Sequence, residues 1–283
     1  MSVMDTARAT ARERGARIVF PEMEDARVGE AAAALERDGL CHPLPLGGVT
    51  DAQVAAVMDA RGMKERMARH LLSKPLMRAA AMVAAGEADA MVAGADVPTR
   101  RVIEAAGLCI GLAEGIARPS SFFLMIFPDG REMIFADCAV TVAPDAEALA
   151  AIARASAASA EALLGRAEVA LLSFSTGTSG AGDSVDVVRA AAEATGFAGP
   201  VQADAALDPA KGARKGVAVE AVNTLVFPSL DAGNIGYKLC QELAGAQAVG
   251  PMLQGFRRPV CDLSRGASAG DIVEAATLTA AMA

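Results

Sequence analysis

The chain has 283 residues, 53% of them hydrophobic, and its 26 Lys and Arg against 34 Asp and Glu give a formal net charge of −8. That length supports a large buried core and favours two domains over one, while the acidic balance and the want of long basic clusters argue against a nucleic-acid partner. No run of ~18 apolar residues is free of Gly, Pro or charge, so no transmembrane helix is expected, and the opening MSVMDTARATARERGARIVF lacks the apolar core of a secretory signal, which leads to a cytoplasmic expectation.

Residues 16–20 are a short apolar run closed by Pro21-Glu22 and read as a strand, and residues 25–37, rich in Ala and Leu, as the following helix. Residues 40–46 read as the next strand, closed by Gly47-Gly48. Residues 63–85 are helical in pattern with a break at Pro75, and residues 88–93 form a strand that ends at Gly94-Ala95-Asp96. Strands alternating with helices predict an α/β fold with a mostly parallel sheet. A second region opens near Pro119. Residues 121–127 and 132–135 flank Pro128-Asp129-Gly130 and predict a β-hairpin. Residues 144–164 predict an Ala-rich helix, and residues 169–174 a buried strand that runs into Ser175-Thr176-Gly177-Thr178-Ser179-Gly180. A helix over 185–194 and strands over 201–203 and 224–227 follow. Asp231-Ala232-Gly233-Asn234 opens another helix, residues 249–253 read as a strand, and a strand over 259–262 leads to a closing helix from Asp271 onward. There is no internal repeat and no long linker.

Five cysteines, Cys41, Cys109, Cys138, Cys240 and Cys261, are odd in number and form no CxxC pair. They read as reduced, mostly buried thiols. The only histidines, His42 and His70, have no partner at metal-ligand spacing, so neither a metal site nor a Ser-His-Asp triad is expected.

Three loops follow strands on the side where open α/β sheets bind ligands. Residues 175–180 offer backbone N–H groups and hydroxyls to phosphate oxygens, without a Walker lysine or GxGxxG spacing; the same residues also suit a turn that caps the next helix. In the second loop Gly233 permits a close approach, Asn234 can donate and accept, and Lys238 falls one turn beyond on the same helical face; Tyr237 beside it is the only tyrosine. Taken alone, these residues are better explained by a turn, a helix cap and a solvated lysine. In the third, Arg265 at a strand end beside Ser264 suits a phosphate or carboxylate. Asp271 stands three residues beyond Ser268, as in a capping box, and a helix N-terminus makes a carboxylate a weak base.

Taken with the opening IVFPEMEDARV (residues 18–28), these loops make the chain similar to the phosphate acetyltransferase (phosphotransacetylase) family. The resemblance runs through nearly the whole chain. It rests on ADCAV (136–140), LSFSTGTSG (172–180), VQADAALDP (201–209), FPSLDAGNIGYK (227–238), GPMLQGFRRPV (250–260) and DLSRGASAGDIV (262–273). It implies two α/β/α domains, one from residues 1–118 with 251–283 and a second, inserted and dimer-forming, from residues 119–250, with the active cleft between them. It also implies a homodimer of acetate metabolism that interconverts acetyl-CoA and phosphate with CoA and acetyl phosphate, with coenzyme A as substrate and neither a tightly bound cofactor nor a metal.

Carried over by residue, Asp271 would take the CoA thiol proton, and the thiolate would attack the carbonyl directly in a ternary complex. Arg265 would hold phosphate, and Ser264 would hydrogen-bond near the thiol and the carbonyl. Thr99, in GADVPT (94–99), would face acetyl phosphate. Ser175, Thr176, Gly177, Thr178, Ser179, Asn234, Tyr237 and Lys238 would line the same cleft. The chain departs from the family pattern at Met23, where glycine is common, at Glu104, where arginine is usual with Arg100 and Arg101 nearby, and at Ala267, which replaces a cysteine. Residues 208–223 lack the usual PDSxVAG text, and Ala203 stands where an aromatic is common. Two alternatives are transfer of another short acyl group and a non-catalytic acetyl-CoA-sensing domain; the latter generally loses the Ser-Arg-Gly and Asp pattern that is kept here.

Overall fold

A computed structural model describes residues 2–217 and 220–283. In chain order its elements are α1 (Val3–Arg14), β1 (Arg17–Val19), α2 (Ala26–Arg37), β2 (His42–Leu44), α3 (Asp51–Arg61), α4 (Glu65–Leu72), α5 (Pro75–Ala84), β3 (Ala90–Ala93) and α6 (Thr99–Ala105), which runs into a π-helical turn (Ala106–Ile110). There follow β4 (Ser120–Ile126), β5 (Glu132–Ala136), α7 (Ala146–Leu164), β6 (Val169–Leu172), α8 (Asp183–Thr195), β7 (Ala198–Val201), α9 (Ala203–Leu207), α10 (Pro209–Arg214), β8 (Thr224–Val226), α11 (Leu230–Ala244), β9 (Gln247–Gln254), β10 (Val260–Asp262) and α12 (Ala269–Met282). The fold is α/β with mostly parallel strands. By contacts the chain divides into two compact units, Met1–Pro119 with Val249–Ala283, and Ser120–Ala248.

In the first unit the strands run in the order β2-β1-β3-β10-β9. The first four are mutually parallel and β9 is antiparallel to β10. Because β1, β3 and β10 are parallel neighbours, the segments leaving their carboxyl ends emerge on one edge. The order also turns at β1, with β2 on one side and β3 on the other, the topology that opens a ligand crevice beyond strand ends. Ile18, Phe20, Leu35, Leu72 and Met91 are fully buried beneath this edge, each contributing about 1.5–3 kcal/mol of apolar burial.

In the second unit the order is β4-β5-β8-β6-β7. The predicted hairpin is the antiparallel pair β4 and β5, and the other pairings are parallel. Phe122, Leu124, Ile134, Leu149 and Leu171 fill its core. The long helix α7 starts where Asp145 accepts a hydrogen bond from the Ala148 N–H, satisfying one of the free donors of the first turn.

Three differences from the sequence reading have local causes. The strand expected over 201–203 lies over 198–201, and Ala203 opens α9; the Gly199-Pro200 pair reads as a breaker yet lies inside a strand at the end of the sheet order. The closing helix starts at Ala269, because Ser268 is its N-cap and Asp271 its third residue. The helix α1 was not anticipated, although Ser2 and Asp5 form a full capping box and Gly15 ends it. The break at Pro75 is present: α4 ends at Leu72 and Pro75 occupies the first turn of α5.

Candidate active site

Three segments of the first unit meet at the carboxyl edge of β1, β3 and β10, and two side chains, one from the turn after β1 and one from the first turn of α2, tie them together. The Glu22 carboxylate accepts hydrogen bonds from four consecutive N–H groups, Gly94, Ala95, Asp96 and Val97, at 2.7–3.1 Å. Arg27 donates to the carbonyls of Arg265 (2.8 Å), Ala267 (3.0 Å) and Ala95 (3.0 Å). Its own charge is balanced by Asp25 at 2.7 Å. That ion pair, through the Arg27 side-chain hydrogen bonds first, brings the Asp25 carboxyl down to about 2. One carboxylate thus holds the loop after β3, and one guanidinium joins it to the loop after β10.

The loop after β3 lies directly on the end of β10 because residue 94 is glycine. A Cβ there would stand 2.5 Å from Asp262 Oδ1 and 2.8 Å from the Leu263 nitrogen, and φ is +107°, a backbone region that side chains disfavour. At the loop's end Thr99 opens α6, and its Oγ1 donates to Asp262 Oδ2 at 2.6 Å. Asp262 is 1% exposed. Burial pushes its carboxyl up to about 7, the Thr99 hydrogen bond acting against that and the Glu22 charge with it.

Past β10 the chain becomes exposed at Ser264, Arg265, Ser268 and Asp271. Ser264 Oγ accepts from the Gly266 N–H at 3.3 Å. The Arg265 guanidinium makes no hydrogen bond or ion pair among the described residues, while its backbone is clamped by Arg27. Asp271 forms the capping box in full: its Oδ2 accepts from the Ser268 N–H (2.9 Å) and hydroxyl (2.7 Å), and its N–H donates to Ser268 Oγ (3.2 Å). Asp271 Oδ1 makes no such bond among the described residues.

In the second unit the hydroxyls of Ser175 and Thr176 are buried and used inside the loop. Ser175 Oγ accepts from the Gly180 N–H at 2.8 Å, and Thr176 Oγ1 accepts from the Gln202 N–H at 3.1 Å. Ser179 Oγ accepts from the Thr176 N–H at 2.9 Å. The Gly177 N–H donates to the Pro200 carbonyl at 3.0 Å. Thr178 is exposed. On α11, Asn234 Nδ2 donates to the Cys138 carbonyl at 3.2 Å. The helix comes that near because a Cβ on Gly233 would stand 2.5 Å from the Asp137 carbonyl oxygen. The Tyr237 ring stacks on Phe123 at 4.2 Å and is 7% exposed, while Lys238 is exposed with Nζ 5.0 Å from that ring's centre.

A family model described as "Phosphate acetyl/butaryl transferase" matches residues 49–280. A phosphate acetyltransferase of Paracoccus denitrificans is 40% identical, over 99% of this chain and 99% of its own. One from Acetivibrio thermocellus is 36% identical over 94% and 93%. Among solved structures, a phosphotransacetylase from Streptococcus pyogenes aligns with a TM-score of 0.91 at 35% identity, covering 99% of this chain and 97% of the other. The chain belongs to this family.

The first unit brings Thr99, Ser264, Arg265 and Asp271 onto one edge. The residues named in the second unit divide by environment. Thr178, Ser179 and Lys238 are exposed, whereas Ser175, Thr176 and Tyr237 are enclosed and shape the unit from within. Glu104 pairs with Arg101 at 2.9 Å on the exposed side of α6, so each offsets the other's charge. Burial raises the thiols of all five cysteines: Cys41 goes to about 12, Cys109 to about 11, and Cys138, Cys240 and Cys261 also rise. None is suited to attack as a thiolate. Sequence reasoning assigned nothing to Glu22, Arg27 or Asp262. The first two stand in the IVFPEMEDARV segment, where a carboxylate and an arginine just past a strand end were the available signal; Asp262 differs from a surface acid only by its burial.

No cluster among the described residues has the ligand set for a metal ion. No described helix is long and apolar enough to cross a membrane.

Proposed function

We propose that this protein is a phosphate acetyltransferase that transfers acetyl between coenzyme A and phosphate by direct attack, with no acyl-enzyme. In the direction of acetyl-CoA formation, Asp271 Oδ1 takes the proton of the CoA thiol. The sulfur lone pair forms the new bond to the acetyl carbon, and the carbon–oxygen bond to phosphate breaks with its electrons left on phosphate. Arg265 receives that developing charge, and Ser264 donates toward the carbonyl oxygen. Positioned charge of this kind lowers the barrier without any covalent intermediate. The observation that carries this reading is Arg265, a guanidinium with no partner among the described residues on a backbone clamped by Arg27, in the turn that leads into the helix whose first turn holds Asp271, a carboxylate with one oxygen unbonded among those residues.

Thr178, Ser179, Asn234 and Lys238 are the proposed substrate contacts of the second unit, Lys238 supplying positive charge for an anionic substrate. A homodimer is part of the reading. On α11 the side chains of Ile235, Leu239 and Leu243 are exposed, and their four-residue spacing forms one apolar stripe that a second copy would cover. The five unpaired thiols fit the reducing cytoplasm.

The test is phosphate-dependent release of free thiol from acetyl-CoA. Thiol release that saturates in phosphate, with acetyl phosphate as the second product, is expected. Tight acetyl-CoA binding without turnover at any phosphate concentration would replace the enzyme with a sensor.

A further inference from the structure

The carboxyl of Asp262 is enclosed at the end of β10, and its two oxygens are unequal. Oδ2 is 2.6 Å from Thr99 Oγ1, whereas Oδ1 is buried with no hydrogen-bond partner among the described residues. Gly94 closes the space beside Oδ1, since even a methyl group there would stand 2.5 Å away. No cation among the described residues pairs with the carboxyl. The ionisable groups around it are the Glu22 carboxylate and the buried Cys261 thiol; on α12 Asp271 caps the helix and Glu274 is bound to Arg8. On the same edge the Arg27 guanidinium is committed to Asp25 and to three carbonyls, and Arg265 is exposed three residues further on.

A threonine hydroxyl has one hydrogen and two lone pairs. When Asp262 is ionised, Thr99 spends that hydrogen on Oδ2, and its oxygen can only accept. When Asp262 carries a proton, the acid donates to Thr99 Oγ1 and the threonine hydrogen is free to point outward. A separation of 2.6 Å accommodates the hydrogen on either oxygen. An anion in front of Thr99 is attracted in the second state and repelled in the first.

We propose that Asp262 is a positioning residue that holds a proton and, through Thr99, determines whether the loop over residues 94–99 presents a hydrogen-bond donor or an acceptor to the phosphoryl group of the substrate. The proposal rests on the transferase reading above. Burial brings the Asp262 carboxyl to about 7, so both states are populated near neutrality and donor strength declines as pH rises.

The experiment measures kcat and KM for acetyl phosphate between pH 6 and 8.5, a range in which the substrate's own charge is constant. It compares the full chain with Asp262→Asn, Thr99→Val and Thr99→Ser, and records the infrared carbonyl stretch of protonated carboxyls in parallel. In the unaltered enzyme KM rises through neutrality, by up to about tenfold per pH unit, while kcat changes less. In Asp262→Asn the amide donates to Thr99 at every pH and the KM profile flattens; Thr99→Val flattens it as well, and Thr99→Ser restores it. The protonated-carboxyl band titrates near neutrality, vanishes in Asp262→Asn, and moves to higher pH in Thr99→Val, where the hydrogen bond favouring ionisation is gone. A KM profile in Asp262→Asn or Thr99→Val that parallels the unaltered enzyme, or a titrating band that persists in Asp262→Asn, overturns the proposal. Absence of any turnover defeats the transferase reading instead, and the infrared titration still decides whether Asp262 holds the proton.

Discussion

At Asp271 one carboxylate oxygen is engaged by Ser268 and the other is open, so capping and proton transfer draw on different atoms. The two roles separate experimentally. Asn keeps an oxygen for the cap but cannot take a proton, so Asp271→Asn is expected to lower turnover by about 10²–10⁴-fold with little change in melting temperature. Ser268→Ala reverses the pattern, losing about 1 kcal/mol of stability with a smaller loss of rate; steady-state kinetics beside thermal melts distinguishes the two. At Arg265 the fork-shaped guanidinium suits bidentate contact with phosphate, and Lys supplies charge without the fork. Arg265→Lys should therefore raise KM for phosphate and lower kcat, while Arg265→Ala does both more strongly, by roughly 10²–10³-fold in kcat if the charge stabilises the transition state.

At the scale of elements, each unit depends on a close approach that only glycine allows, at Gly94 in the first and Gly233 in the second. Gly233→Ala drives a methyl group to 2.5 Å from the Asp137 carbonyl oxygen, which α11 can relieve only by moving away. A cost of about 1–3 kcal/mol is expected, read as a shifted denaturant midpoint. The Asn234 bond to the Cys138 carbonyl should weaken with it. The elements were largely legible beforehand. Strands, Ala-rich helices and the Pro75 break follow from periodicity and punctuation, because those signals are local. The N-terminal helix was missed although Ser2 and Asp5 stand at capping-box spacing, since its Arg and Glu residues dilute the apolar pattern. The joining of loops was not legible at all. Glu22 meets residues 94–97, and Arg27 meets residues 265 and 267, across intervals that no local pattern spans. Likewise the resemblance singled out Tyr237 as a cleft residue, while its packing on Phe123 emerges only from the fold.

For the whole molecule, Asp262 has a consequence for pH stability. Burial pushes its folded carboxyl up to about 7, well above the usual carboxylate range of about 4, so between these values the folded state holds a proton that the unfolded chain has released. Stability then falls as pH rises from about 4 to 7, by at most about 1.4 kcal/mol per pH unit. Urea unfolding across this range should show that slope, and Asp262→Asn should remove it. The exposed stripe of α11 gives a separate expectation: Leu239→Lys with Leu243→Lys should yield a monomer in sedimentation while leaving the second unit folded. The order of strands in the first unit also bears on how the protein is made. β10 lies between β3 and β9, yet it reaches the ribosome exit after all of residues 120–248. The second unit can therefore complete its sheet during synthesis, while the first waits with an open strand edge at β3 until the last 35 residues, 249–283, arrive. Chains interrupted at residue 248 should accordingly aggregate through that edge, which makes the nascent first unit the natural client of a chaperone.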